Sequence, residues 1–190
     1  MQPSVVCSPD ELDEYIGKFL LRYAWVGASN LETVAESFAD YAGLHEFPRN
    51  PHQYLPLFGV NLVPENLGRG VQAVWIRLPA GYIIQHSRYL TGKQGLVLWH
   101  EFFEIMASNP RFPTRLPIEL EEKLATRFAV ALMMPEREVR RQAADLKHPT
   151  LLNKTRVLAE RFGVSYTAMK IRLREFGLEH KAERGRESYL

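Results

Sequence analysis

The feature that most constrains this chain is a segment that must form a buried helix while carrying ionisable groups. Residues 96–106 read Leu-Val-Leu-Trp-His-Glu-Phe-Phe-Glu-Ile-Met. When successive residues are placed about 100° apart, apolar side chains cover nearly the whole circumference of the helix. His100, Glu101 and Glu104 share the one remaining sector with Val97. Because a helix that is apolar almost all round is buried, these three groups must face solvent, a cleft or an ion.

The spacing of these groups suits a metal site. His100 and Glu104 stand at positions i and i+4, which puts both side chains on one helix face. Burying unpaired carboxylates is costly, and a bound cation would remove that cost. Glu101 lies beside these ligands and could polarise a metal-bound water as a general base. The alternative is an amphipathic helix whose solvent-exposed face contains these residues without binding a metal.

The pattern follows the His-Glu-x-x-His helix of zinc peptidases, with Glu104 where the second histidine belongs. We expect one divalent metal, with Zn²⁺ as the first candidate. One histidine with two glutamates is an oxygen-rich donor set, so Mn²⁺ and Fe²⁺ are the alternatives.

A third ligand is expected on the next helix, which Pro117 begins at its first helical position and Pro135 ends. Glu121 and Glu122 lie beside or within the apolar stripe of that helix, and the helical wheel does not choose between them. The alternative is an acidic first turn that the helix dipole favours without any metal.

The rest of the chain predicts an α+β fold that is mostly helical, with a small antiparallel sheet packed on the metal-site helices. Three prolines predict a loop over 46–56. The strands at 71–78 and 82–86 predict a hairpin with a three-residue loop. The other predicted elements are helices over 9–25 and 30–43, a strand over 58–63, and helix from Thr91 onward, where Thr91 and Gln94 form a capping box.

Composition narrows the setting and the organisation of the chain. A single cysteine excludes an internal disulfide and fits a reducing compartment. We see no signal peptide and no apolar run long enough to span a bilayer, so we expect a cytoplasmic protein without a membrane partner. The predicted segments are an N-terminal helical part (1–50), a core (51–148), a C-terminal helical pair (149–178) and a charged tail (179–190).

The C-terminal pair has the spacing of a helix-turn-helix. Gly163 stands at the turn, and Ser165 can cap the second helix. Lys170, Arg172 and Arg174 are predicted to face outward, where they could contact DNA. The alternative is a helical hairpin packed on the core without nucleic acid.

Two motifs of this sequence resemble those of the ImmA/IrrE family of metallopeptidases. The first is Gly92 to Glu101, following the strand at Tyr82-Ile83-Ile84. The second runs from Glu122 through Ala125 and Phe128-Ala129 to Met134-Pro135. The resemblance covers roughly residues 55–178, and its second motif selects Glu122 rather than Glu121.

This resemblance implies a zincin-like core with His100, Glu104 and Glu122 as metal ligands and Glu101 as the general base. It also implies hydrolysis of a peptide bond in a regulatory protein, such as a helix-turn-helix repressor of the XRE type. Glu104 stands where the family usually has histidine. Two alternatives therefore stay open: a binding module that has lost catalysis, and a DNA-binding regulator that uses residues 150–178.

Overall fold

The structure confirms an α+β fold that is mostly helical. The computed structural model describes residues 8–90, 94–146 and 151–178. The predicted cap at Thr91 therefore lies outside the described residues. The helices are α1 (Pro9–Leu20), α2 (Leu31–Tyr41), α3 (Pro51–Tyr54), a 3-10 turn (Leu55–Phe58), α4 (Gln94–Ser108), α5 (Ile118–Met133), α6 (Glu136–Asp145), α7 (Leu151–Phe162) and α8 (Tyr166–Glu175).

The sheet has three strands in the order β1-β3-β2: β1 (Val60–Glu65), β2 (Ala73–Leu78) and β3 (Gly81–Ser87). The β2–β3 hairpin is antiparallel as predicted, but β1 pairs with β3 in parallel, so the sheet is mixed. After β1 the chain crosses to the far edge and β2 runs back. The returning β3 fills the centre and shares the direction of β1. The hairpin loop has two residues, Pro79 and Ala80, because Gly81 already pairs with Leu78.

The fully buried helix predicted from the sequence is α4. It packs against α5 on one side and against β2 and β3 on the other. Trp99 is fully buried, and its indole N–H donates to the Arg49 carbonyl at 2.9 Å. Arg49 in turn donates to the Leu132 carbonyl at 2.7 Å, so α4, α5 and the segment before α3 are joined. The other α4 side chains with no exposed surface are Leu98, Phe102, Phe103, Ile105 and Met106.

Pro51 and Pro117 both stand at the start of a helix, but each in a position that differs from the one the sequence predicted. The predicted loop over 46–56 contains α3, since Pro51 sits in the first turn and the Asn50 side chain accepts from the His52 N–H at 3.1 Å. Proline suits a first helical turn because its missing N–H would be unpaired there anyway. Pro117 is the N-cap of α5 and not its first helical residue.

The C-terminal pair forms the predicted helix-turn-helix arrangement. Gly163 ends α7 with φ +63°, a backbone conformation that glycine adopts without steric cost. The Ser165 hydroxyl accepts from the Ala168 N–H at 3.2 Å and caps α8 as predicted. The pair packs on the rest of the protein: the rings of Phe162 and Phe47 lie 5.2 Å apart between centroids.

Arg172 does not face outward as predicted, because α8 turns this side chain into the protein. Only 1% of the residue is exposed. Its guanidinium donates to both carboxylate oxygens of Glu32, at 3.0 and 2.6 Å, and to Glu175 at 2.8 Å. It also donates to the Met134 carbonyl at 3.0 Å. Arg172 stands three residues after the buried Met169 and so shares its face of α8.

The buried side chains of the predicted segments meet in one continuous hydrophobic core. This core takes Phe38 from the N-terminal part, Phe102 and Phe128 from the centre, and Phe162 from the C-terminal pair. The exact domain boundaries stay a prediction. Within the described residues no helix is both long and apolar enough to cross a membrane.

We expect Arg172→Leu to lower the free energy of unfolding by about 3 kcal/mol, because it leaves buried partners of the guanidinium without their donor. Chemical denaturation followed by circular dichroism measures this change. The control is Arg141→Leu, which removes an exposed guanidinium paired with Glu138 and Asp145. Exposed pairs contribute roughly 1 kcal/mol or less. Equal losses in the two variants would contradict the role given to Arg172.

Candidate metal centre

A cleft of about 600 Å³ opens beside the polar sector of α4. Its walls are α4, α5 and the segment Gly70–Trp75, which includes the start of β2. His100, Glu101 and Glu104 line it, as the sequence predicted from their shared sector. Glu122 joins them from α5. The cleft therefore gathers one histidine and three carboxylates from two consecutive helices.

The imidazole of His100 lies at the centre of this group. Its Nε2 is 3.4 Å from Glu104 Oε1 and 3.4 Å from Glu122 Oε2. Its Nδ1 lies 3.2 Å from the Thr126 hydroxyl oxygen. When Nδ1–H donates to Thr126, Nε2 presents its lone pair toward the two carboxylates, which is the form of histidine that binds metals.

Burial and neighbouring carboxylates act in opposite directions on His100. Burial alone would lower the pKa of the imidazole, but the contact with Glu104 and the negative charges of Glu104, Glu101 and Glu122 raise it above its ordinary value. The carboxylates therefore dominate the electrostatics of the cleft. A positive charge, whether a proton or a metal ion, is strongly favoured at this point.

Glu101 is the most buried carboxylate of the group, with 7% of the residue exposed. Burial, together with the nearby charge of Glu104, raises the pKa of Glu101 to about 7. The backbone N–H of Trp75 donates to its carboxylate and opposes part of that shift. Glu101 is thus held against β2 and can take or release a proton near neutral pH.

The contact with Trp75 follows from the register of the hairpin. The Ser87 N–H donates to the Gln72 carbonyl, so positions 72 and 87 face each other as a hydrogen-bonded pair. The alternation of an antiparallel ladder then turns the backbone groups of Ala73 and Trp75 away from β3. Since β2 is an edge strand, these groups point toward the cleft and not into the sheet.

The contacts of His100 with the two carboxylates are longer than direct charge-assisted hydrogen bonds. Charge-assisted hydrogen bonds between nitrogen and carboxylate oxygen are about 2.7–2.9 Å long, shorter than the 3.4 Å found at His100. Nitrogen and oxygen ligands about 2.1 Å from a tetrahedral zinc lie about 3.4 Å from one another. The two distances at His100 equal the separation expected between two ligands of one ion, which is compatible with the predicted roles of Glu104 and Glu122.

The donors His100, Glu101 and Glu104 also offer atoms that all lie within 4.8 Å of one another, so Glu101 is an alternative ligand. We favour Glu122 in that role because it approaches Nε2 directly, whereas Glu101 is bound to the Trp75 N–H. Glu121 does not line the cleft, so the choice that the helical wheel left open falls on Glu122 by position. The ligand roles themselves stay a prediction.

The basic residues of the C-terminal pair do not belong to this cleft. Arg172 is buried in its ion pairs and is not available to DNA. Arg174 is exposed on α8 and Lys170 is half-buried. The three side chains therefore do not form one outward-facing basic surface.

Two features of the site escaped the reading of the sequence. Thr126 lies one helical turn after Glu122, so its place on the same face could have been found from the i,i+4 spacing. The role of the Trp75 N–H could not have been found in this way, since every residue except proline has a backbone N–H and the sequence does not show which one faces the site. Its direction depends on the register between β2 and β3.

A known family matches the part of the chain that carries this cleft. Residues 92–174 match the family model of the IrrE N-terminal-like domain, peptidase family M78. The match covers less than half of the chain, and it lies in the part that carries the two motifs. The match includes α4 and α5, and so all four residues of the predicted site. The family predicted from the two motifs is confirmed, and the family suggests a divalent metal at such a site.

A solved structure shares the fold. It is a Mycobacterium tuberculosis transcriptional regulator, 20% identical, with a TM-score of 0.54 over 85% of this chain and 51% of that chain. The present chain thus spans about half the length of that protein. No curated protein matches the chain at a significant level.

We expect the purified protein to hold about one equivalent of divalent metal, and His100→Ala to lose it, because His100 is the only nitrogen donor in the group. Elemental analysis after exposure to zinc, manganese and iron together measures the content and names the ion. The purification uses neither chelators nor a metal-affinity tag. His45→Ala, which removes an exposed histidine outside the cleft, is the matched control. A wild-type protein without metal would show that the site is degenerate.

Thr126→Val should weaken metal binding about 10-fold without changing its stoichiometry, since residues that orient a ligating histidine typically contribute 10- to 100-fold. Competition with a chromophoric chelator measures the dissociation constant. Thr33→Val changes an exposed threonine on α2 in the same way and should leave the constant unaltered. An unchanged constant in Thr126→Val would mean that the hydroxyl does not orient His100.

Proposed function

We propose that the chain is a metal-dependent endopeptidase of the ImmA/IrrE type that hydrolyses a peptide bond in a protein substrate. One observation carries the proposal: His100 Nε2 lies 3.4 Å from two carboxylates, with the buried Glu101 next to it, in a cleft bordered by a sheet edge. The family match over residues 92–174 supports the same reaction class.

The edge of β2 supplies a place for the substrate backbone. The groups of Ala73 and the carbonyl of Trp75 point toward the cleft, and a peptide laid along them would add a strand to the sheet. Main-chain pairing of this kind binds peptides largely without regard to their side chains. It would hold the scissile bond next to Glu101, because Trp75 is part of the edge strand and its N–H donates to the Glu101 carboxylate.

His100, Glu104 and Glu122 would hold the ion, and a divalent metal supplies Lewis acidity for carbonyl polarisation and water activation. Glu101 would accept the proton of the attacking water at its carboxylate oxygen and pass it to the leaving amine. Burial raises the pKa of Glu101, which makes it a better proton acceptor than an exposed glutamate. Leu96, Val97 and Val130 add apolar surface to the cleft beside these groups.

The substrate we propose is a regulatory protein, in particular a helix-turn-helix repressor. This follows from the resemblance of the two motifs to ImmA/IrrE peptidases. The similar solved structure is described as a transcriptional regulator, which is compatible with a role in gene control.

A second candidate is a peptidase-like module that binds its partner without cutting it. The observation that favours it is Glu104, a carboxylate where the family usually has histidine. With Glu122 it makes an oxygen-rich donor set that would bind zinc less well than two histidines do. The DNA-binding alternative is less well supported, because Arg172 is buried and paired.

Glu101→Gln should reduce peptide hydrolysis at least about 100-fold while metal content stays at the wild-type level, because the amide cannot take the proton of the attacking water. Cleavage of a mixed library of quenched fluorogenic peptides gives the rate. Elemental analysis gives the metal content. Full activity in this variant would rule out Glu101 as the base.

Glu119→Gln is the matched control, since it makes the same change at an exposed glutamate of the same helix outside the lining of the cleft. We expect its rate to stay within about twofold of wild type, as for surface substitutions away from a site. Intact library peptides after prolonged incubation with metal-loaded wild-type protein would favour the non-cleaving module.

A further inference from the structure

A second groove of about 480 Å³ lies on the other side of α5, between this helix and α8. Its floor is apolar and consists of Val130, Met134, Ala168 and Ile171, and Lys123 and Arg127 stand on the α5 side. Thr126 and Val130 line both depressions, and the proposed catalysis uses none of the other residues of the groove. The groove is therefore a distinct feature that the metal centre leaves unexplained.

The groove and the metal cleft adjoin along α5. Thr126 and Val130 line both of them, so only one ridge of the helix separates the two. Glu122 and Thr126 form one stripe of α5, and Lys123 and Arg127 form the adjacent stripe. A substrate peptide that extends from the metal centre across Thr126 would enter the groove directly.

The floor of the groove is suited to apolar side chains. Ile171 is 52% exposed, although it sits on a helix that is otherwise packed onto the protein through Met169 and Leu173. Covering such a side chain removes apolar surface from water, which favours binding by about 25 cal/mol per Å². The floor thus offers a site for apolar groups of a partner.

The rim on the α5 side is basic. Lys123 is exposed, and no carboxylate of the described residues lies within ion-pair distance of it. Arg127 is also exposed and has only a 3.3 Å contact with Glu32. On the opposite wall Glu175 is engaged by Arg172 at 2.8 Å, so its charge is compensated. Arg127 and Arg172 together balance Glu32 and Glu175, so Lys123 gives the described rim a net positive charge beside the apolar floor.

The groove is also preformed. Arg172 bonds Glu32 of α2, Glu175 of α8 and the carbonyl of Met134 after α5, which sets the separation between the two helices. The groove runs over 12 residues, from Lys123 on α5 to its C-cap Met134, or about 16 Å along the helix axis. About five residues of an extended peptide span that length.

We propose that this groove is a specificity subsite of the same enzyme, and that it binds a segment of the substrate in which apolar and acidic side chains alternate. The proposal rests on the proposed peptidase function. The apolar side chains would lie against Val130 and Ile171, and the acidic side chains would pair with Lys123 and Arg127. The sheet edge binds any backbone, so the groove would select which protein is cut.

The test uses the full-length protein and three fluorescein-labelled dodecapeptides. They share an alanine-rich half and differ in a five-residue segment of alternating Leu and Glu, Leu and Lys, or Ser and Glu. Fluorescence anisotropy measures binding to the wild type and to His100→Ala. We expect both proteins to bind the Leu/Glu peptide at least tenfold more tightly than the other two.

Substitutions in the groove should change this preference. Lys123→Glu should remove the advantage of the Leu/Glu over the Leu/Lys peptide, and Ile171→Ser should lower Leu/Glu affinity several-fold. Lys18→Glu is the matched charge reversal, at an exposed lysine of α1 outside both depressions. It should leave all three affinities as in the wild type. Equal affinities for the three peptides, or an equal effect of Lys18→Glu, would overturn the proposal.

A cleavage arm separates this proposal from the proposed function. Quenched versions of the same peptides are incubated with metal-loaded wild-type protein, and kcat/KM is compared. Cleavage that is equal for all three peptides would overturn the subsite and support the peptidase. Selective binding of the Leu/Glu peptide without any cleavage would overturn the peptidase and support the groove as the binding surface of a module that does not cut.

Discussion

The structure depends on the burial of α4 between α5 and the sheet. A helix with apolar side chains on nearly every side has no stable position except the interior, and the packing around Trp99, Phe102 and Phe103 fixes its rotation. That rotation leaves one sector, which carries His100 and Glu104, open to a cleft. The placement of the charged groups is thus a consequence of hydrophobic packing, and their spacing decides what they can bind.

The cost of gathering carboxylates in one cleft is the reason to expect a cation there. Their charges raise the pKa of His100 despite its burial, and burial raises the pKa of Glu101 to about 7. Such shifts mark a site that is far from its electrostatic optimum without a positive partner. The imidazole of His100, with Nε2 3.4 Å from Glu104 and from Glu122, is where we expect that partner.

The C-terminal pair shows how one arrangement of helices can serve different purposes. Its turn and cap match a helix-turn-helix, yet Arg172 points into the protein and ties α8 to α2. Because of this contact, α8 lies beside α5 and forms one wall of the groove next to the metal cleft. A basic residue in a predicted recognition helix is therefore weak evidence for nucleic-acid contact until its direction is known.

Much of the fold and most of the site could be predicted because their signals are local. The i,i+4 spacing of His100 and Glu104 and the period of α4 need only the helix geometry itself. The predicted element boundaries were less accurate. Pro51 lies in the first turn of α3, where the sequence predicted a loop, because proline disrupts a helix interior but is accommodated in its first turn. The parallel pairing of β1 with β3 depends on the path of the chain between strands, which no strand pattern records.

The sequence by itself determined that α4 is buried, that its polar groups share one face, and which family the second half of the chain resembles. Only the tertiary structure decided that Glu122 approaches His100, that Thr126 and the Trp75 N–H hold the site, and that Arg172 is buried. The physical reason is range. Helical periodicity acts over one or two turns, whereas these contacts join segments whose relative positions are set by the packing of the whole core.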